Sequence, residues 1–204
     1  SAATLDALAT KLLAAKHPVM VAGHEIATSD AFAEAAEFAA ALGVPVYQQT
    51  VNHGAHFPSE HPNFVGRLSR SQPAVRNILA DYDLMFCVGS DVLKMSVFDE
   101  VDPLPDSLEV VQLGLRDWEM GKNYPASMAV RADVRETLKD LTPRVRELGG
   151  DALAREAQTR NARIAADNWS VKRESAVLAA RELGDNTPMA PRWLMCKLVD
   201  LLPE

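Results

Sequence analysis

The sequence predicts an α/β fold, a doubly wound parallel sheet with helices on both faces. Two observations carry this expectation: short apolar runs that end on glycine, and amphipathic helical segments between them joined by short loops. The 204 residues are 48% hydrophobic and 24% charged, ordinary proportions for a globular chain. Folded-area scaling gives roughly 9,400 Å² of exposed surface, so about 70% of the chain's surface can be buried without disulfide or metal staples.

Residues 4–16 place Leu5, Leu8, Leu12 and Leu13 on one helical stripe, with Thr4 as candidate N-cap and Pro18 ending the helix. Val19 to Ala22 reads as a buried strand closing at Gly23. Ser29 and Asp30 open a helix over 30–42 that Gly43 stops, and Val44 to Tyr47 is the next strand. A long loop from Gln48 to about Arg70 follows, of a length usually reserved for function or interfaces, and a sixth candidate strand lies in it near Phe64-Val65. Helix 72–81 precedes the apolar strand 84–88, then come strands 108–113 and 128–130 and a helix from Asp133 to about Leu148. Gly149-Gly150 marks a change of composition. Residues 151–183 read as a charged, solvated helical linker, 184–191 as a turn-rich break, and 191–202 as a final amphipathic helix carrying Trp193, Leu194, Leu198 and Leu201.

The net charge of −7 argues against a nucleic-acid or anionic-membrane binder. No segment reads as a membrane span or a signal peptide, and Cys87 and Cys196 suit a reducing compartment, so a cytoplasmic location is expected. Ligands of doubly wound sheets sit beyond the carboxyl ends of the strands, which here are Gly23-His24-Glu25, Gln48-Gln49-Thr50, Gly89-Ser90-Asp91 and Gly114-Leu115-Arg116. The dinucleotide fingerprint is absent: the first turn reads GHEIATSD, and no phosphate-loop lysine motif occurs. His53, His56 and His61 beside Glu60 supply donors for a metal, but Pro58 and Pro62 break the helix that a regular zinc motif needs, so no metal site is expected. Ser90 lacks the nucleophile-elbow pattern, and Asp99, Glu100 and Asp102 read as a solvated acidic turn. No arrangement in the chain suffices for a reaction of its own.

From about residue 4 to 143 the sequence resembles the central domain of thiamine-diphosphate-dependent enzymes of the pyruvate decarboxylase and acetolactate synthase superfamily, with a flavour nearest benzoylformate decarboxylase. The residues that carry the resemblance are HPVMVAGHEI, LGVPVYQQ, FPSEHPNFVG, DYDLMFCVGSDV and LEVVQLGLRDWEMGKNYPASMAVRAD. The tail PMAPRWLMCKLVDLLPE is similar to the helix that opens the family's third domain.

The resemblance implies a six-stranded Rossmann-like sheet in the order 3-2-1-4-5-6. It also implies a division into a central domain over 1–148, a charged helical linker over 149–187, and the first helix of an otherwise missing diphosphate-binding domain over 188–204. In such enzymes thiamine diphosphate and Mg²⁺ bind between the first and third domains of neighbouring subunits, in homodimers or homotetramers. The first domain's glutamate and the third domain's G-D-G and asparagine have no counterpart here, and Gly184-Asp185-Asn186 lacks the required context. The fragment is therefore expected to bind no thiamine diphosphate and to be inactive alone, as the scaffold of a 2-oxo acid decarboxylase (a lyase) or acyl transferase. The alternative is a nucleotide module of an acetolactate-synthase-like or CoA-linked enzyme, with FAD or ADP bordered by Gly23, His24, Gly89 and Ser90. Benzoylformate-type members hold no nucleotide there and send a histidine from the loop after the fourth strand into the active site. Ser96 stands at that point, and a hydroxyl cannot relay protons near neutrality as imidazole does.

Overall fold

A computed structural model describes residues 1–51, 54–95, 98–184 and 186–202. Six parallel strands, β1 (Pro18–Ala22), β2 (Val46–Gln48), β3 (Phe64–Arg67), β4 (Leu84–Val88), β5 (Glu109–Gly114) and β6 (Met128–Arg131), lie in the order β3-β2-β1-β4-β5-β6. This is the expected order, and the candidate near Phe64-Val65 is β3. Pairing β1 with β4 in register from Pro18↔Leu84 to Ala22↔Val88 puts the two most apolar strands side by side at the centre, where all ten residues are buried. Strands covered on both faces read as continuous apolar runs for this reason.

The two-residue period of the strands divides the core. Met20, Ala22, Phe86 and Val88 point to one face, where they meet Leu8 and Leu12 of α1 (Ala2–Ala14), Phe38 of α3 (Phe32–Leu42) and Leu138 and Leu141 of α5 (Val134–Ala165). Val19, Val21, Met85 and Cys87 point to the other, against Val75 and Leu79 of α4 (Gln72–Leu79). That second face carries a single helix; Val92, Leu93 and Leu104 from the connection between β4 and β5 complete its cover.

Local chemistry shifts several boundaries. Ser1, not Thr4, caps α1, its hydroxyl accepting the Thr4 N–H, and the helix ends at Ala14 because Pro18 already belongs to β1. Ser29 and Asp30 do not open a helix. An additional short helix, α2 (His24–Thr28), follows β1 directly, and Asp30 takes a positive φ of 50° in the turn that leads to α3.

The charged segment after Gly149-Gly150 is helical but not solvated all round. Gly150 (φ 52°, ψ −151°) breaks the helical geometry of α5, and beyond it Leu153, Ala157 and Ile164 are buried. Ala157 seats against Gly43, where a Cβ would lie 2.6 Å from the Ala157 Cα, so the α3 stop signal also lets α5 approach. Two shorter helices follow, α6 (Trp169–Arg181) and α7 (Pro191–Leu201), and α7 leaves Met195, Val199 and Leu201 exposed. The total accessible surface, 11,146 Å², exceeds the scaling value by roughly 1,700 Å² because these last helices protrude.

The loop motif and the extension meet at Asn63, which is 2% exposed. Its side-chain amide donates to the Val44 carbonyl (2.9 Å) and to Oδ1 of Asn161 on α5 (2.7 Å), while Asn161 donates to the Ala40 carbonyl (2.9 Å). Nearby, Phe57 stacks on Phe64, and Phe64 meets the edge of Trp169. Replacing Asn63 by Leu leaves a carbonyl and an amide oxygen without donors and is expected to cost about 2 kcal/mol in urea denaturation. Asn161→Ala should cost less, and the double variant should fall short of the sum, since the two residues share one hydrogen bond.

Candidate functional site

At the carboxyl ends of β1 and β4 the two backbones nearly touch. The Gly23 N–H donates to the Val88 carbonyl (2.9 Å), the Glu25 N–H to the Gly89 carbonyl (3.1 Å), and the Gly89 N–H to the Leu113 carbonyl (2.7 Å). A Cβ on Gly23 would lie 2.2 Å from both the Gly89 oxygen and the Ser90 Cα. Gly89 holds a φ of 59°, which other L-residues reach only at a cost, and a Cβ there would strike the Glu25 side chain at 2.6 Å. The structure thus brings Gly23, Gly89 and Ser90 together as the strand endings suggested. His24, in the first turn of α2, meets the buried His56 edge-on, with ring centroids 6.3 Å apart.

Glu25 is the residue the strand-end glycines did not single out. It is 7% exposed, its Oε2 accepts the Leu115 N–H at 2.7 Å, and both carboxylate oxygens would lie 3.0 Å from a Cβ on Gly114. One side chain from the end of β1 therefore reaches past β4 to the end of β5. Beyond it Asp91, 9% exposed, pairs with Lys94 (2.6 Å) and Arg116 (3.3 Å), and Arg116 also meets Glu119 (3.2 Å) and lies over the Trp118 ring. On the other flank the Thr50 hydroxyl donates to the Lys94 carbonyl (3.1 Å) and accepts the Lys94 N–H (3.2 Å), tying the loop after β2 to the loop after β4 across the end of β1.

Beside these ion pairs, at the ends of β4 and β5, lies a cavity of about 10 Å³ bordered by Glu25, Ser90, Asp91, Gln112, Arg116 and Glu119. That is the space of about one water molecule. Three carboxylates face it with one guanidinium, the reverse of the donor-rich cradle that a diphosphate requires. The Ser90 hydroxyl is buried beside the Cys87 thiol, and burial pushes that thiol up to about 12. Cys87 is a core residue without thiolate character at neutral pH.

His61 is pulled below its ordinary pKa by burial, and it meets Phe57 edge-on. Among the described residues no group of three or more His, Cys, Asp or Glu could hold a metal ion. Nor is any described helix long and apolar enough to cross a membrane. Ser96 and His53 lie outside the described residues. The conspicuous motifs turn out to have structural tasks: the Asp83 carboxylate in DYDLMFCVGSDV accepts the Lys16 and His17 N–H groups (2.7 and 2.9 Å), anchoring the entry to β1 beside β4.

Residues 5–141 match the family model for the central domain of thiamine pyrophosphate enzymes. The chain belongs to that family. Sulfoacetaldehyde acetyltransferase of Alcaligenes xylosoxydans xylosoxydans is 26% identical to the domain over 219 aligned residues, 98% of this chain and 36% of the relative, so that alignment takes in the helical extension as well. Benzoylformate decarboxylase of Pseudomonas aeruginosa is 29% identical over 71% of this chain and 27% of its own length. Among solved structures, the thiamine diphosphate-dependent 4-hydroxybenzoylformate decarboxylase of Rhodococcus jostii RHA1 superposes with a TM-score of 0.67 at 27% identity, over 71% of this chain and 27% of that one. The central-domain chain spans about a third of the length of the curated relatives it matches.

Gly23→Ala in this central domain should lower stability by more than about 2 kcal/mol, because the backbone it strikes cannot rotate away. Gly121→Ala, at a φ of 66° with open space around it, should cost only about 1 kcal/mol in the same denaturation assay. Folded Cys87 keeps its proton to about 12, whereas the unfolded thiol releases it near 9. Its contribution is therefore intact below pH 9 and is lost as the pH rises from there towards 12. Disulfide-exchange titration at pH 8 should count one reactive thiol, Cys196, in the native chain and two in urea, and Cys87→Ala should flatten the alkaline fall in stability.

Proposed function

We propose that this chain is the central scaffold of a larger thiamine-diphosphate- and Mg²⁺-dependent enzyme, one that decarboxylates a 2-oxo acid or transfers the resulting acyl carbanion. The relatives carry the names of both reaction types, an acetyltransferase and a decarboxylase, and the chain aligns with 36% of the first and 27% of the second. The observation that carries the scaffold reading is the packing at the carboxyl ends of β1, β4 and β5, where Gly23 and Gly89 meet neighbouring backbone and the Glu25 carboxylate accepts the Leu115 amide. The residues here do not fit thiamine diphosphate: the crevice offers acids where the diphosphate needs donors, and the described residues hold no metal cluster. The cofactor and the metal are accordingly assigned to the flanking domains of the parent, in a homodimer or homotetramer of full-length subunits.

The same geometry disfavours FAD or ADP against Gly23, His24, Gly89 and Ser90, because a nucleotide would have to displace Glu25 from its bond to the Leu115 amide. The division at 148 and 187 is read as scaffold, helical connection and the opening helix of the next domain, with the connection partly docked through Leu153, Ala157 and Ile164. Ser96, in place of an imidazole, argues for a substrate other than an arylglyoxylate. Two unpaired cysteines suit the cytoplasm.

Calorimetric titration of the 204-residue chain with thiamine diphosphate and Mg²⁺ tests the reading. It is expected to give no saturable heat. Binding at about micromolar affinity would overturn it.

A further inference from the structure

The amino end of the sheet, opposite the crevice, carries a cleft of about 580 Å³. It exists because α5, after its break at Gly150, runs beneath the starts of β1 and β2 and stands off from the end of α4. That volume falls within the range of small-molecule sites, roughly 300–1,000 Å³. Its wall is part apolar, from Pro18, Pro45, Ile78 and Ile164, and part phenolic, from Tyr47 and Tyr82. Burial and the neighbouring Tyr47 hydroxyl raise the Tyr82 pKa, so this phenol stays a proton donor at neutral pH.

The charges are distributed against the trend of the chain. On a protein with net charge −7, this one concavity gathers Lys16, Arg160, Arg163 and Lys172 against two acids, Asp81 and Asp167. Two of the cations have partners: Lys172 meets Asp167 at 3.0 Å, and Arg160 holds Glu156 (2.5 Å) and the Lys16 carbonyl (2.9 Å). The Lys16 ammonium and the Arg163 guanidinium form no ion pair among the described residues, and Arg163 is near enough to Tyr82 to act on its phenol electrostatically. The Lys16 backbone is nevertheless fixed, by Asp83 at its N–H and by Arg160 at its carbonyl. Two cations without ion-pair partners among the described residues, at the mouth of a half-apolar cleft, supply the charge that an anionic ligand needs.

We infer that this cleft binds a small organic anion, a carboxylate or phosphate carried on a ring, with Lys16 and Arg163 meeting the anionic group and the Tyr47–Tyr82 wall taking the ring. The site lies at the opposite end of the strands from the crevice. Two sources share this chemistry, nucleotides and aryl carboxylic acids, so calorimetric titrations of the 204-residue chain at low ionic strength use ADP and benzoate, with inorganic phosphate as the ringless probe. At least one ring-bearing anion should bind saturably with a dissociation constant below about 1 mM, and phosphate should bind more weakly. The ligand that binds identifies the source. Arg163→Glu, an exposed position whose folding is checked by circular dichroism, should weaken binding about tenfold or more, as should Lys16→Glu, while Arg116→Glu at the opposite end should leave it unchanged. Absence of saturable binding by both ADP and benzoate up to about 10 mM would overturn the inference. So would binding that survives Arg163→Glu and disappears with Arg116→Glu.

Discussion

The arrangement of this domain depends on a buried carboxylate at the crowded end of three strands. Glu25 leaves the end of β1, accepts the Leu115 amide beyond β5 and packs against the glycines that end β4 and β5. A buried charge is tolerated only when its oxygens find donors, and the Leu115 N–H at 2.7 Å is such a donor. Its position demands glycine at 89, where a Cβ would lie 2.6 Å from the Glu25 Cβ, and leaves a Cβ at 114 a tight 3.0 Å from the carboxylate oxygens. Space, charge and backbone geometry at the carboxyl end are therefore parts of one constraint.

On the proposed reading, a nucleotide-type fold serves here as a buttress. Doubly wound sheets offer a crevice where strand order reverses, between β1 and β4 here. The Thr50–Lys94 hydrogen bonds roof one flank, and the Asp91–Arg116–Glu119 ion pairs line the other. The polar residues at these strand ends hold loops to one another. The same holds for the loop motif: Asn63 fastens α3 and α5, Phe64 meets Trp169, and the Asn168 side chain donates to the Pro62 carbonyl. The family resemblance lies in residues that maintain the scaffold and its attachment to the helices that follow.

Much of this architecture was legible from the chain alone. The runs at 19–22 and 84–88 are apolar without alternation because both faces of β1 and β4 are covered, and each ends on a glycine that the packing requires; 108–113 carries the exposed Glu109 and the buried Gln112 within an otherwise apolar run. β3 was fainter because Gly66 and the exposed Arg67 interrupt its short apolar signal. α2 escaped notice because five residues give too little periodicity and Gly23 supplies no capping side chain. The docking of α5 beyond Gly150 was hidden because it relies on Ala157 meeting Gly43, a contact made by the absence of side chains. Of the candidate site, the glycines and Ser90 were visible as strand endings. The closure by Glu25 was not, since a carboxylate next to His24 reads the same whether it turns outward to solvent or inward to a backbone amide ninety residues on.

The most direct test is amide-resolved nuclear magnetic resonance of the isotope-labelled chain titrated with FAD. The account predicts that the amides of Gly23, Gly89 and Leu115 keep their chemical shifts, because the Glu25 carboxylate is bonded to the Leu115 amide and its side chain packs against Gly89. Saturable shifts at all three, with release of the Leu115 amide from its hydrogen bond, would mean that the crevice opens for a nucleotide and that the scaffold account is wrong.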